Sequence, residues 1–203
     1  NHALYDAVRG GSKLIRPNQT NAEETNAAVS AFTSDGVTVT GGDAFTNTNG
    51  YTYASWNWKA GTGQGSSNTD GSTNTTYTSV NSTAGFSIST YAGSGSLATI
   101  GHGLGVAPKV VLLKSTSHTE NWTMYHASLG AGKYIYLNNN DAAGPGSGTN
   151  TSIFNNTAPT SSVFTVNTDG TSNGSGKSYV AYCFKEKAGY SKFGSYAGNG
   201  STD

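Results

Sequence analysis

The sequence predicts an all-β protein, built of antiparallel β-sandwich units of a lectin or jelly-roll kind set in tandem. Three observations lead there. Apolar residues come in short runs rich in Val, Ile, Tyr, Phe and Trp, bounded by Gly, Asn, Asp and Ser clusters, which is the punctuation of strands and turns. Gly, Thr, Ser and Asn together supply half of the 203 residues, so half the chain is turn-forming or hydroxylated. The same residues recur in the same order at two places along the chain.

Taken in order, residues 21–31 are the one helical candidate, with Thr20 and Glu23 placed for a capping box. About ten residues make a helix that needs tertiary support. Strands are expected at 37–40, 51–59, 76–80, 86–91, 97–100, 109–114, 122–125, 133–137, 163–166 and 179–185. In 51–59, Tyr51, Tyr53, Ser55 and Asn57 point one way and Thr52, Ala54, Trp56 and Trp58 the other, and the Trp side is the expected core face. Val110, Val111, Leu112 and Leu113 are apolar on both faces, which places them centrally in a sheet covered on both sides. Asp35-Gly36, Asp70-Gly71 and Asp169-Gly170 mark turns, and 138–148 reads as a long loop. Short strands at fairly even spacing favour a sandwich over alternating β and α units.

The repeat is the most specific feature. Without gaps, Asn1, Tyr5, Ala7, Gly10, Lys13, Ile15 and Asn18 return as Asn121, Tyr125, Ala127, Gly130, Lys133, Ile135 and Asn138. Phe32 with Asp35-Gly36 is echoed by Phe164 with Asp169-Gly170, and Tyr53, Trp56, Trp58, Lys59 by Tyr179, Tyr182, Phe184, Lys185. Gly85-Phe86-Ser87 and Tyr91-Ala92-Gly93 return as Gly189-Tyr190-Ser191 and Tyr196-Ala197-Gly198. Residues 1–84 therefore read as the C-terminal part of a first unit, and 85–203 as a second unit plus the first strand of a following one. A period this long means a tandem array of domains, and the chain is expected to be a stretch of a longer one.

Composition narrows the function classes. Eleven Lys and Arg balance eleven Asp and Glu, charged residues make up only 11% of the chain, and the pI is near 7.1. The clustered cations that phosphate contacts require are missing, so no nucleic-acid partner is expected. Val110 to Leu113 is the longest aliphatic run, far below the ~20 residues of a membrane helix, so no membrane insertion is expected. The single Cys183 sits between Tyr182 and Phe184 as a buried, inert thiol and allows neither an internal disulfide nor a multi-thiolate zinc site.

Catalytic chemistry finds little to work with. The acids are scattered singly apart from Glu23-Glu24, and nothing singles out Asp6 with Asp35 or Glu120 with Asp141 as the facing carboxylates of a glycosidase. His102, His118 and His126 lack the spacing that would fix a metal. The chain is expected not to be an enzyme and to need no cofactor or metal. A glycan site is the candidate that remains. Sugar faces stack on aromatic rings while Asn and Asp bond the hydroxyls, which selects Trp122, Tyr136, Asn138 and Asp141, with His102 and His126 as further ligand-facing groups. For His102, in Gly-His-Gly-Leu-Gly, the favoured reading is a turn whose imidazole caps the sheet by a hydrogen bond, and for Trp122 it is packing in the core.

Taken together, the 85–93 string, Gly101-His102-Gly103-Leu104-Gly105 with Pro108-Lys109, Asn121-Trp122, Tyr125-His126, Leu137-Asn138, Thr157-Ala158-Pro159-Thr160, the 179–184 strand and the 189–196 string resemble a repeat domain of virion proteins, tail fibres above all, of marine and other environmental bacteriophages. The likeness covers essentially the whole chain, with His2 standing where the pattern of Trp122 is expected. The resemblance implies a lectin-like sandwich in an extracellular phage appendage, homo-oligomeric in its fibre, with host surface polysaccharide as a partner. Low charge suits a rod that must not adhere indiscriminately. A secreted bacterial adhesin or carbohydrate-binding module, and a capsid decoration protein, are the alternative expectations.

Overall fold

The four residues apolar on both faces set the architecture. In the computed structural model, which describes residues 2–40 and 43–201, they begin strand β9 (Val110–Ser115), third from one edge of a six-stranded sheet. Its order is β11 (Ile135–Tyr136), β10 (Thr123–His126), β9, β13 (Ser178–Phe184), β7 (Phe86–Ala92) and β6 (Tyr77–Asn81). Three smaller sheets join β1 (Leu4–Asp6), β2 (Gly10–Ile15) and β3 (Glu24–Thr25); β4 (Val29–Phe32) and β5 (Val37–Val39); and β8 (Ala98–Gly101) and β12 (Val163–Val166). Named strands pair only antiparallel, and the described residues contain no helix.

Strand periodicity divides the core into two layers, one on each side of the six-stranded sheet. From β13, Tyr179, Ala181 and Cys183 join Val111, Leu113, Tyr91 and Tyr125 in one cluster, capped by Ile100 of β8, Phe164 and Val166 of β12, and Ile153 and Phe154. The alternate residues Val180 and Tyr182 join Phe86, Ile88, Leu112 and Trp122 in the other, covered by Leu4, Val8 and Ile15 of the β1–β2 hairpin. The N-terminal hairpin is thus packed onto the sheet through apolar side chains. The turn joining β6 to β7 spans the sequence boundary at 84/85.

Two expectations fail on described residues. The segment 21–31 is no helix: β3 and β4 occupy it, with Leu14 opposite Glu24 and Lys13 opposite Thr25. Glu23 N–H donates to the Thr116 carbonyl and Glu120 N–H to that of Thr20, so neighbouring chain takes the backbone groups that a helix would need for itself. The carboxylates finish the job, Glu23 binding Arg9 and Lys13, and Glu24 gripping Arg16 through both oxygens.

The second failure is 51–59, which forms no strand, and its Trp side is no core face: Trp56 is 76% exposed and Trp58 53%. Among the described residues, its one backbone hydrogen bond to another part of the chain is Tyr51 N–H to the Thr48 carbonyl. Alternation alone cannot bury a face when no neighbouring strand satisfies the backbone.

The two repeated segments near the chain start and its middle share one strand pair and one turn contact, although β2 begins at Gly10 and β11 only at Ile135. Leu4 pairs with Ile15 in the β1–β2 hairpin, and Met124 with Ile135 in β10–β11, positions equivalent in the ungapped alignment. The Val8 amide donates to Asp6 Oδ1 (3.0 Å), and its counterpart, the Ser128 amide, to His126 Nδ1 (3.2 Å). Gly10 and Gly130 both adopt positive φ, 105° and 76°, where a side chain is disfavoured. Asn1, the first of the matched residues, lies outside the described residues.

Candidate functional site

The glycan candidates are only partly brought together. Trp122 is fully buried: its ring stacks on Tyr182 and its Nε1 donates to the Arg16 carbonyl (2.9 Å), so it joins the N-terminal hairpin to the sheet and has no face left for a sugar. Asn138 closes the base of the β10–β11 hairpin, accepting from the Trp122 amide through Oδ1 (2.7 Å) and donating through Nδ2 to Asn121 Oδ1 (2.8 Å). Half-buried Tyr136 leans on Tyr134, ring centroids 5.0 Å apart, and burial first, with the Tyr134 hydroxyl second, raises its phenol above the ordinary value. Exposed Asp141 ends a small turn, its amide and carboxylate bonded to the Asn139 side chain. Tyr136, Asn138 and Asp141 therefore share one end of the hairpin, while half-buried His126 stands at the opposite end of β10, level with Val110.

His102 is elsewhere and inside. It is fully buried at the start of the loop after β8, where its Nδ1 accepts from the Leu104 amide and its Nε2 faces the Thr160 carbonyl, both at 3.2 Å. Those partners fix the tautomer with the proton on Nε2. Burial lowers its basicity, against the Thr160 hydrogen bond. The imidazole ties a turn to the strand region around Val163, as the favoured sequence reading had it. The acids behave likewise: Asp6 is bound to Arg9 and Tyr182, and Glu120 to Lys177. Among the described residues no three His, Cys, Asp or Glu side chains gather as metal ligands.

Sequence reasoning missed a buried polar cluster between the N-terminal hairpin and the sheet. Asp6 Oδ2 accepts from Arg9 Nε and from the Tyr182 hydroxyl, each at 2.6 Å, and Arg9 Nη1 reaches Glu23 (3.0 Å) and the Lys13 carbonyl (3.0 Å). Burial opposes the Arg9 charge, but Tyr182, Asp6 and Glu23 outweigh it and hold the guanidinium above its usual range. Beside it runs a cavity of about 290 Å³ lined by Val8, Arg9, Glu23, Gln64, Thr90 and Tyr179. Arg9 Nη2 and Thr90 Oγ1 are buried without a protein partner, and they offer a donor and a hydroxyl to a small polar guest. The lining's one acid, Glu23, is held by Arg9 and Lys13, so the cavity presents no carboxylate pair. The one sequence signal was Asp6-x-x-Arg9, a spacing that only a turn makes into a pair.

The third feature is the open aromatic segment. Tyr51, Tyr53, Trp56 and Trp58 are all exposed, with Asn57 and Ser55 between them and hydrogen-bonded to each other. Trp58 touches the rest of the fold edge-on at Phe184, centroids 6.0 Å apart. Contiguous exposed rings of this kind mark contact surfaces.

The model of a family described as a domain of unknown function, DUF7483, matches residues 1–203, and the chain belongs to that family. Neither the curated proteins nor the solved structures contain a match to the chain.

Proposed function

We propose that this DUF7483 domain is a non-enzymatic structural protein of a bacteriophage virion, a repeat of a tail fibre or similar appendage exposed to the extracellular medium. The units are antiparallel sandwiches in tandem, with 1–84 the end of one and 85–203 the next together with the opening of a third. The observation that carries this reading is the one equivalent strand pair, Leu4 with Ile15 and Met124 with Ile135, together with the equivalent side-chain bond from residue 6 or 126 to the amide two positions on. Equal local structure at equivalent positions is what a duplicated unit produces, and repeated units that contact only their neighbours build elongated objects. A near-neutral surface rich in Ser, Thr and Asn supports the same role.

The exposed rings of Tyr51, Tyr53, Trp56 and Trp58 favour a second reading, a carbohydrate-binding module or adhesin, since such rings stack on sugar faces. In the virion reading, host polysaccharide is held by loops, with Tyr136, Asn138 and Asp141 as contacts. Immunogold electron microscopy with antibody to 85–203 separates these. Label along phage tails or fibres supports the appendage, label on capsid shells replaces it with decoration, and label on cells with bare phages replaces it with an adhesin.

A further inference from the structure

Two exposed segments of this chain match two strands that pair with each other inside it. Residues 53–58 align without gaps on 179–184 of β13, with Lys59 on Lys185 just beyond it, and Gly189-Tyr190-Ser191 with Tyr196-Ala197-Gly198 align on the ends of β7. In the six-stranded sheet β7 and β13 pair along their whole length, from Ser178 opposite Ala92 to Phe184 opposite Phe86. Their counterparts 51–59 and 189–196 belong to no strand, and Tyr190 is 69% and Tyr196 96% exposed. Within 189–196 a bridge from Ser191 to Lys187 and the packing of half-buried Phe193 on Phe184 tie the segment to its own chain, and both must yield to a new strand partner.

We propose that 189–196 of one copy adds as an antiparallel strand to 51–59 of a second copy, rebuilding between molecules the β7–β13 interface already formed within each. The proposal rests on the tandem-unit reading above. The occupant follows from sequence: the segment that carries β7's pattern is the one suited to the extended, unpaired segment that carries β13's. Transferring the register sets Trp58 opposite Tyr190, Asn57 opposite Ser191, and Tyr53 opposite Tyr196, with one extra residue in the donor strand accommodated as a bulge. Backbone hydrogen bonds supply the pairing, and alternate side chains its register. Because donor and acceptor are different surfaces, the contact is head-to-tail, and it grows open chains where the rotation between successive copies does not close a ring and the two segments are not exchanged reciprocally. That is the growth mode of a fibre.

Cysteines at the transferred register test it in the full chain, with native Cys183 buried and out of reach. Asn57→Cys with Ser191→Cys, oxidised and run on a non-reducing gel, is expected to give a ladder of linked dimers, trimers and higher species. The register-shifted pair Asn57→Cys with Gly194→Cys is expected to stay monomeric. Linkage in both pairs, in neither, or only within a single chain overturns the proposal. Immunogold location reports separately on the appendage reading: labelled fibres with no ladder remove this contact alone, and a ladder with label off the virion removes the appendage alone.

Discussion

Tyr53, Trp56 and Trp58 share spacing and order with Tyr179, Tyr182 and Phe184, yet the first set stands in solvent while Tyr179 is 1% and Tyr182 4% exposed. Local pattern is therefore silent about burial. β13 has β9 on one side, β7 on the other and an apolar layer on each face; 51–59 has none of these. The largest expected effect breaks the symmetry directly. Val180→Asp places an unpaired charge in a fully closed layer and is expected to abolish folding, as is Val111→Asp in β9. Ala54→Asp, the equivalent of Val180→Asp, is expected to change stability by less than about 0.5 kcal/mol, the usual scale for exposed sites. Circular dichroism melts of the pair check it, and equal damage from both would show 51–59 to be buried.

The N-terminal region is not loose everywhere, which sharpens the contrast. Residues 4–25 are held to the sheet by Leu4, Val8 and Ile15 and by the buried chain from Tyr182 through Asp6 to Arg9. Asp6→Ala strips Arg9 of its nearest carboxylate and the Tyr182 hydroxyl of its acceptor, with Glu23 still in place. The expected cost is about 3 kcal/mol, within the range for breaking a buried pair. Urea unfolding measures it. An unchanged midpoint would mean that the hairpin docks through its apolar side chains alone.

Strand identity was legible in the sequence for the six-stranded sheet and also for β5, β8 and β12 outside it, but not for β1 to β4. Val110 to Leu113 announced its two covered faces, and 86–91, 163–166 and 179–185 are strands within a residue or so of their expected ends. Legibility stopped where neighbours decide. The pattern of 21–31 fits a capped helix locally, but cross-strand ion pairs and the carbonyls of Ser12 and Thr116 claim that stretch. Trp122 is in the core, the favoured of its two readings, but nothing local shows that the N-terminal hairpin is what closes over it. Of the glycan candidates, Tyr136, Asn138 and Asp141 lie at one end of the β10–β11 hairpin because they are close along the chain, whereas His126 stands at the other end of β10 and His102 is buried between the Leu104 amide and the Thr160 carbonyl. Asp6 was visible only as a scattered acid, since its partner Tyr182 is far away along the chain.

Lys114, the polar end of the central apolar run, is a smaller test of what β9 supplies. It is fully buried with Nζ donating to the Ser115 carbonyl (2.7 Å), and burial lowers its pKa from 10.5 to about 8 against the pull of Glu120. Below about pH 8 folded and unfolded chains both hold the proton, and the fold bears the cost of the buried charge. Between about 8 and 10.5 the unfolded chain alone stays protonated, so this group's contribution to stability rises with pH. Tyr5, Tyr179 and Cys183, raised to about 12 by burial, act oppositely: they favour the fold below their ordinary values and lose that contribution as pH climbs toward 12. Comparing Lys114→Met with the parent cancels them. The variant is expected to melt higher at pH 7, by about 2 kcal/mol or roughly 5 °C, with the gap closing by pH 10.5. A gap independent of pH would assign the gain to packing.

The smallest effect reads the comparison optically. Of the three tryptophans, Trp56 and Trp58 are open and Trp122 is fully buried, so iodide should quench the first two and spare the third. Trp58→Phe keeps a ring near Phe184 and is expected to cost less than about 1 kcal/mol, the scale of one edge-to-face pair. The double variant Trp56→Phe, Trp58→Phe leaves Trp122 alone, with blue-shifted and nearly unquenched emission. If copies join through 51–59, Trp58 faces Tyr190 across the new strand pair, and its quenching in Trp56→Phe should fall as protein concentration rises. Quenching unchanged over that range would leave 51–59 an open segment in solution, and the difference between it and β13 would then be permanent instead of awaiting a partner.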